Sequence, residues 1–293
     1  MFNYKYLYYC RNDGIGFQYT CISKLLNVAI SENATLLVDW RNLSFFKLRR
    51  QEFSVDRLHE FFLIKHAHIV YDPHEIDRIL LDHPDEVLGI DMGKHHNPHP
   101  QAASHIRFAN FHELGLEFDN KCEWLGPYIS LRGECFEKFL NHRPIAKRCI
   151  GIHARLGNGE MLNNPLMRQR MDIPVERFFE EIDKHDDTQI LVCTDSPAFL
   201  SACMDRYGNQ VVAVPRSMPD ENEGPGHAAG KKPRNIELDG YELLGDSLVE
   251  LLLLGECRFL ICNASLFTVH ARKFRQVPHI VLTNGGADYG LLV

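Results

Sequence analysis

The 293-residue sequence contains no apolar run long enough to cross a bilayer. Its longest, Leu248 to Leu254, is interrupted by Glu250 and closed by Gly255, whereas a spanning helix needs roughly 20 such residues. The opening ten residues lack a basic segment followed by an apolar core, so no secretory signal is expected and the expected location is cytoplasmic. Nine cysteines are present, an odd number, and no two form a Cys-x-x-Cys pair. That pattern argues against a disulfide framework and against a thiolate zinc site, leaving the cysteines as reduced, small apolar residues. In that setting the sequons at Asn33, Asn42 and Asn263 are chance matches. Positive charge is also scarce. Lys and Arg number 32 against 39 Asp and Glu, for a net charge of −7, which excludes a nucleic-acid binder driven by bulk charge. An acidic chain can still hold an anion locally, with an arginine and backbone N–H groups.

Several signatures of chemistry are missing as well. No Gly-x-Ser-x-Gly elbow follows a strand, which removes the serine-hydrolase arrangement. Neither a Walker loop nor the Gly-x-Gly-x-x-Gly fingerprint occurs. The stretch His95-His96-Asn-Pro-His99, with Asp91 and His105 nearby, could hold a metal. Its spacing fits no His-Glu-x-x-His pattern and shows no helical period to align the rings, so solvated loop histidines are the expected reading and no metal site is assigned.

The composition that remains, 45% hydrophobic and 24% charged, is that of a globular protein with one large or two mid-sized domains. The pattern suggests two α/β halves, 1–145 and 146–293. In the first, a Tyr-rich strand (4–10), a Gly-containing turn, a helix (17–31) and a buried strand (35–39) make a parallel unit. Residues 54–62 read as helix, 67–71 as strand, and 81–120 as loops and short helices. In the second half, strands at 148–154, 189–194, 211–214, 258–262 and 278–282 alternate with helices at 174–185, 198–207, 246–255 and 265–274. A polar Gly/Pro-rich insertion spans 216–239. Right-handed crossovers predict a doubly wound sheet of order 3-2-1-4-5. Its topological switch then falls between 149–154 and 258–262, and a ligand belongs in the crevice beyond those carboxyl ends.

Two loops flank that crevice. In Arg155-Leu-Gly-Asn-Gly-Glu160, the glycines Gly157 and Gly159 let the backbone approach a ligand, Asn158 lies between them, and Arg155 offers a planar fork suited to phosphate oxygens. A plain structural turn is the alternative reading. Opposite, Ser265 starts a helix, where its hydroxyl and the helix N–H groups can hold an anion or only cap the helix. Glu250 stands inside an apolar helical run. An unpaired buried acid is costly, so it should face the crevice, accepting hydrogen bonds from a ribose or base, or face solvent.

The segment His153-Ala-Arg155-Leu-Gly-Asn-Gly-Glu160 resembles the H-V-R-H-G-N-G-E segment of the NodZ-type nodulation fucosyltransferases, a family related to the eukaryotic core α1,6-fucosyltransferases. Further matches follow in the same order: Leu36-Leu-Val-Asp39-Trp40-Arg41, Cys193-Thr-Asp195-Ser196, Ala213-Val-Pro215, Gly224-Pro-Gly-His227 and Val249-Glu-Leu-Leu-Leu-Leu-Gly-Glu-Cys257. Together they span nearly the whole chain, with a gap around 75–145. The resemblance implies a GT-B fold, two Rossmann-like halves facing a central cleft. It also implies a metal-independent, inverting transfer of fucose from GDP-fucose to a glycan hydroxyl, with no cofactor beyond the sugar nucleotide. Residues 1–145 would shape the acceptor side and 146–293 would hold GDP. By the same resemblance Arg155 contacts the β-phosphate and His153 lies near the nucleotide. Gly157, Asn158 and Gly159 form the turn beneath the pyrophosphate, Glu250 takes the place of a nucleoside-binding Asp, and Ser265 lies near a phosphate-binding serine. Leu156 stands where relatives carry His or Arg.

Such a transfer needs a carboxylate to take the acceptor proton and preorganised positive charge for the leaving diphosphate. Arg155 is the candidate for the second role and Glu160, at the end of the Gly loop, for the first. Glu160 orienting Arg155 through an ion pair is the competing reading. The alternatives are transfer from another GDP-sugar, a sugar-nucleotide or phosphate hydrolase using the His segment, and a catalytically impaired glycan-binding module of the same fold.

Overall fold

A computed structural model describes residues 4–11, 14–43, 46, 51–91, 106–110, 128–156, 173–185, 188–216, 218, 239–284 and 286–290. The chain divides into two compact units, residues 1–132 and 133–293.

The first unit is built on the parallel pattern that the sequence suggests, with additions. Strand β1 (Tyr6–Cys10) leads through Gly14, the N-cap, into helix α1 (Ile15–Ser31), followed by β2 (Thr35–Asp39). The turn between β1 and α1 is closed by Gln18, whose buried amide donates to the Arg11 carbonyl at 2.9 Å. Expected as one long helix, residues 54–62 instead form a short helix, α2 (Val55–His59), and the start of strand β3 (Phe62–Ile64). Strand β4 (Ile69–Val70) and helix α3 (Pro73–Asp82) follow. Asp72 accepts the His74 N–H at 2.8 Å, and Pro73 enters the first helical turn; Pro costs nothing there because that N–H is unpaired in any helix. The stretch expected to be loops yields two strands, β5 (Val87–Asp91) and β6 (Arg107–Asn110). The main sheet has the order β4-β2-β1-β5-β6, and every pair in it is parallel. Strand β7 (Ile129–Leu131) pairs antiparallel with β3 apart from it.

Helix α4 (Gly133–Ala146) opens the second unit. The sequence division at 145/146 leaves this helix in the first half. Its partners belong to the second unit: Lys138 pairs with Asp246 at 2.6 Å and Arg143 with Glu256 at 3.0 Å. Strand β8 (Ile150–Ala154), helix α5 (Val175–Ile182), strand β9 (Ile190–Thr194), helix α6 (Pro197–Tyr207) and strand β10 (Val211–Ala213) come next. They are followed by helix α7 (Gly240–Glu256), strand β11 (Phe259–Asn263), helix α8 (Leu266–Arg275) and strands β12 (His279–Thr283) and β13 (Gly286–Gly290). The sheet order is β10-β9-β8-β11-β12-β13. The expected 3-2-1-4-5 order is therefore present, with one antiparallel edge strand added. Strands β8 and β9 are buried at every residue, as near-continuous apolar strands covered by helices on both faces must be. Helix α7 starts six residues earlier than its apolar run suggests and is buried along almost its whole length.

Close packing behind β8 depends on a missing side chain. A Cβ at Gly151 would lie 2.6 Å from Leu260 Cδ2, 2.9 Å from Cys257 Sγ and 3.0 Å from Leu254 Cδ2. Three neighbours would have to move together. Gly151→Ala should therefore destabilise the second unit by about 1–3 kcal/mol, read as a lowered urea midpoint; an unchanged midpoint would mean that the strand–helix contact is loose.

Candidate functional site

The site is built where β8 and β11 run side by side in parallel, at their carboxyl ends. One residue fixes the exit of β8. Asn263, the last residue of β11 and fully buried, accepts the Arg155 N–H through Oδ1 at 3.1 Å and donates through Nδ2 to the Arg155 carbonyl at 2.9 Å. From the other side, Asp195 Oδ1 accepts the Leu156 N–H at 2.7 Å, and the Thr194 hydroxyl donates to the Ala154 carbonyl at 2.5 Å. The Ala154 carbonyl, both main-chain groups of Arg155 and the Leu156 N–H thus have fixed partners, and the start of the loop is preorganised. The sequence marks Asn263 as a sequon in the loop flanking the crevice and Asp195 as part of a motif match; their bridging role depends on strand pairing that local pattern does not reveal.

Arg155 sits on this bracket. Among the described residues it makes no ion pair, and its buried Nε has no hydrogen-bond partner. An arginine whose main chain is held and which has no carboxylate partner among the described residues is prepared for an anion brought from outside. Gly157, Asn158, Gly159 and Glu160 lie outside the described residues, as do His95, His96, His99 and His105. Among the described residues no group of three or more His, Cys, Asp or Glu could hold a metal ion.

Across the switch, Ser265 is the N-cap of α8, its hydroxyl oxygen accepting the Phe267 N–H at 3.2 Å. The capping reading is realised, and the remaining N–H groups of that first helical turn carry the partial positive charge of a helix N-terminus. His153, on β8, lies flat against Phe267, with ring centroids 4.9 Å apart and planes inclined by 17°. Burial, then the positive charges of Arg155 and Arg216, push its imidazole down to about 3. His153 is a neutral ring at physiological pH, an uncharged hydrogen-bonding group beside two cations.

Glu250 does not face solvent. Its side chain is buried on α7 and forms an ion pair with Arg216, in the segment following β10. Burial raises the Glu250 carboxyl above the ordinary carboxylate range; Arg216 opposes that shift, while Asp246 and Asp195 add to it. The pair lines a cavity of about 300 Å³ whose walls include Val192, Leu200, Val214, Pro215 and Met218. The sequence gives no hint of Arg216, which reads there as the first residue of a polar insertion. Most of that insertion, 219–238, lies outside the described residues.

No protein-family profile and no curated protein matches the chain. Solved structures do. NodZ α-1,6-fucosyltransferase co-crystallised with GDP is 18% identical and superposes with a TM-score of 0.61 over 97% of each chain. Fucosyltransferase NodZ from Bradyrhizobium is also 18% identical, with a TM-score of 0.60 over 97% of this chain and 98% of that one. POFUT1 in its apo form is 12% identical, with a TM-score of 0.53 over 96% of this chain and 98% of that one. The chain is a mixed α/β protein with parallel sheets and the fold of these fucosyltransferases. Among the described residues no helix is long and apolar enough to cross a membrane.

The state of His153 has a measurable consequence. An ordinary histidine protonates near 6.5 and His153 near 3, so between those values the unfolded chain binds a proton that the folded chain refuses. Folding stability should fall as pH drops through that window, by at most about 1.4 kcal/mol per unit from this residue. His153→Phe keeps a ring against Phe267 and should flatten the pH dependence of urea unfolding below 6.5. An unchanged slope would assign the effect to other groups.

Proposed function

We propose that the protein is a glycosyltransferase of GT-B type that moves fucose from GDP-fucose to a hydroxyl of a glycan, by an inverting displacement without a metal. The observation that carries this reading is Arg155 at the switch point, its main chain clamped by Asn263 and its Nε without a partner among the described residues. An open switch point in a doubly wound sheet takes a nucleotide or similar ligand. Here an arginine and a helix N-terminus stand ready for a diphosphate. The fold shared with the NodZ structures and the ordered motif matches support the choice of a GDP-sugar.

In this mechanism Arg155 holds the β-phosphate and stabilises the charge that develops as GDP departs. The N-terminus of α8 and Ser265 take phosphate oxygens, and the turn Gly157-Asn158-Gly159 lies beneath them. His153 stays neutral, so it donates or accepts a hydrogen bond without adding charge. Glu250 receives N–H groups of the nucleoside. Glu160 takes the proton from the acceptor hydroxyl as its oxygen attacks the anomeric carbon and the bond to the diphosphate breaks. The first unit supplies the acceptor side. Transfer from a different GDP-sugar is the second reading, favoured by Leu156 and Glu250, which depart from the family motif.

Calorimetry with EDTA present should show GDP binding and much weaker UDP binding; no GDP binding would remove the reading. Arg155→Ala should lower turnover by on the order of 10²–10³ with the melting temperature retained, and near-wild-type turnover would end its phosphate role. Glu160→Gln should abolish the dependence of rate on a basic group; a retained rate would end the assignment of the base.

A further inference from the structure

The ion pair on the cavity wall is an unusual way to line a binding site. Arg216 and Glu250 have side chains only 8% and 7% exposed. Burying two charges together gains little over an apolar pair of the same volume, so stability alone is a poor reason for it. The pair is also incompletely satisfied. Arg216 gives Nη1 to Glu250 Oε2, while its buried Nε has no partner among the described residues. Oε1 of Glu250 likewise has no hydrogen bond to a described residue. Thr194, another polar residue on the wall, already spends its hydroxyl on the Ala154 carbonyl and the Ser196 N–H. An otherwise apolar cavity of about 300 Å³ therefore presents one charged donor and one charged acceptor side by side.

We propose that Arg216 is a specificity-determining residue that reads the nucleobase jointly with Glu250, selecting a 6-oxopurine that carries a 2-amino group. This rests on the nucleotide-sugar reading above and adds to it the residue that chooses the base. A guanine edge offers a carbonyl oxygen beside two parallel N–H donors. Arg216 donates to the oxygen, and the Glu250 carboxylate accepts the ring N–H and the amino N–H. Adenine and uracil each satisfy one donor and one acceptor at most and leave a buried charged group short of a bond, which is where such sites discriminate. Arg216 also opposes the upward shift that burial imposes on the Glu250 carboxyl and holds that group in place before the base arrives.

The test is calorimetry of GDP, IDP, ADP and UDP with the wild-type chain and with Arg216→Met and Arg216→Lys. Arg216→Lys retains a cation for Glu250 but lacks the fork, which guards against a variant that fails to fold; melting curves check both. Wild type should prefer GDP over ADP and UDP by on the order of 10²-fold and over IDP by about 10-fold. Either variant should collapse the first preference to below about 10-fold while leaving the affinity for inorganic pyrophosphate unchanged. A folded variant with the wild-type preference would overturn the role of Arg216. A wild type that binds all four nucleotides alike would overturn base reading and leave nucleotide binding standing. A wild type that binds none would overturn the proposed function itself.

Discussion

Two strands that are distant in sequence, β8 and β11, lie beside each other in parallel, and the chain leaves their carboxyl ends toward opposite faces of the sheet. Because parallel crossovers keep one hand, no helix passes over the ends of these two strands, and a crevice is left there by construction. The loose backbone at such an edge would cost free energy if its N–H and C=O groups stayed unpaired. Asn263, by taking both the N–H and the carbonyl of Arg155, satisfies that requirement and leaves the arginine side chain unpaired with any described carboxylate. Preorganisation of the site and completion of the sheet edge are the same set of hydrogen bonds.

Charge is distributed around this edge in a way that burial alone would oppose. Arg155 and Arg216 both act on His153 and suppress its protonation, while the buried acids Glu250 and Asp246 act on Arg216 and Asp195 stands close enough to act on Glu250.

Much of the second unit can be read from local pattern, because its strands are short, apolar and separated by helices with clear caps. Ser196 before Pro197 and Ser265 before Leu266 have the residue types of helix starts, and both cap. The sheet order follows from handedness. What escapes is of three kinds. Strands β5 and β6 are short and lie within or beside a stretch rich in His, Pro and Asn, where periodicity has no length to develop. Strand β13, Gly286–Gly290, has the composition of a loop and is held by antiparallel pairing to β12, an interaction without a local signature. Helix α4 carries Pro144 within it and only two buried residues, so it has no apolar stripe to announce it. The site divides the same way. Arg155, Ser265 and Glu250 are visible as chemistry out of place in their segments, whereas Arg216 and the bracketing role of Asn263 exist only through partners far along the chain.

Helix α4 also bears on how the molecule can be taken apart. Its lysine and arginine reach two buried carboxylates of α7, Asp246 and Glu256, and Glu256 is shared with Arg275 of α8. A fragment beginning at Gly133 keeps this triple tie. One beginning after Ala146, the boundary that alternation of strands and helices suggests, would strip the counter-cation from Asp246 and half of those from Glu256. A second unit prepared for dissection or domain exchange carries its own fastener only if it is cut on the near side of that helix.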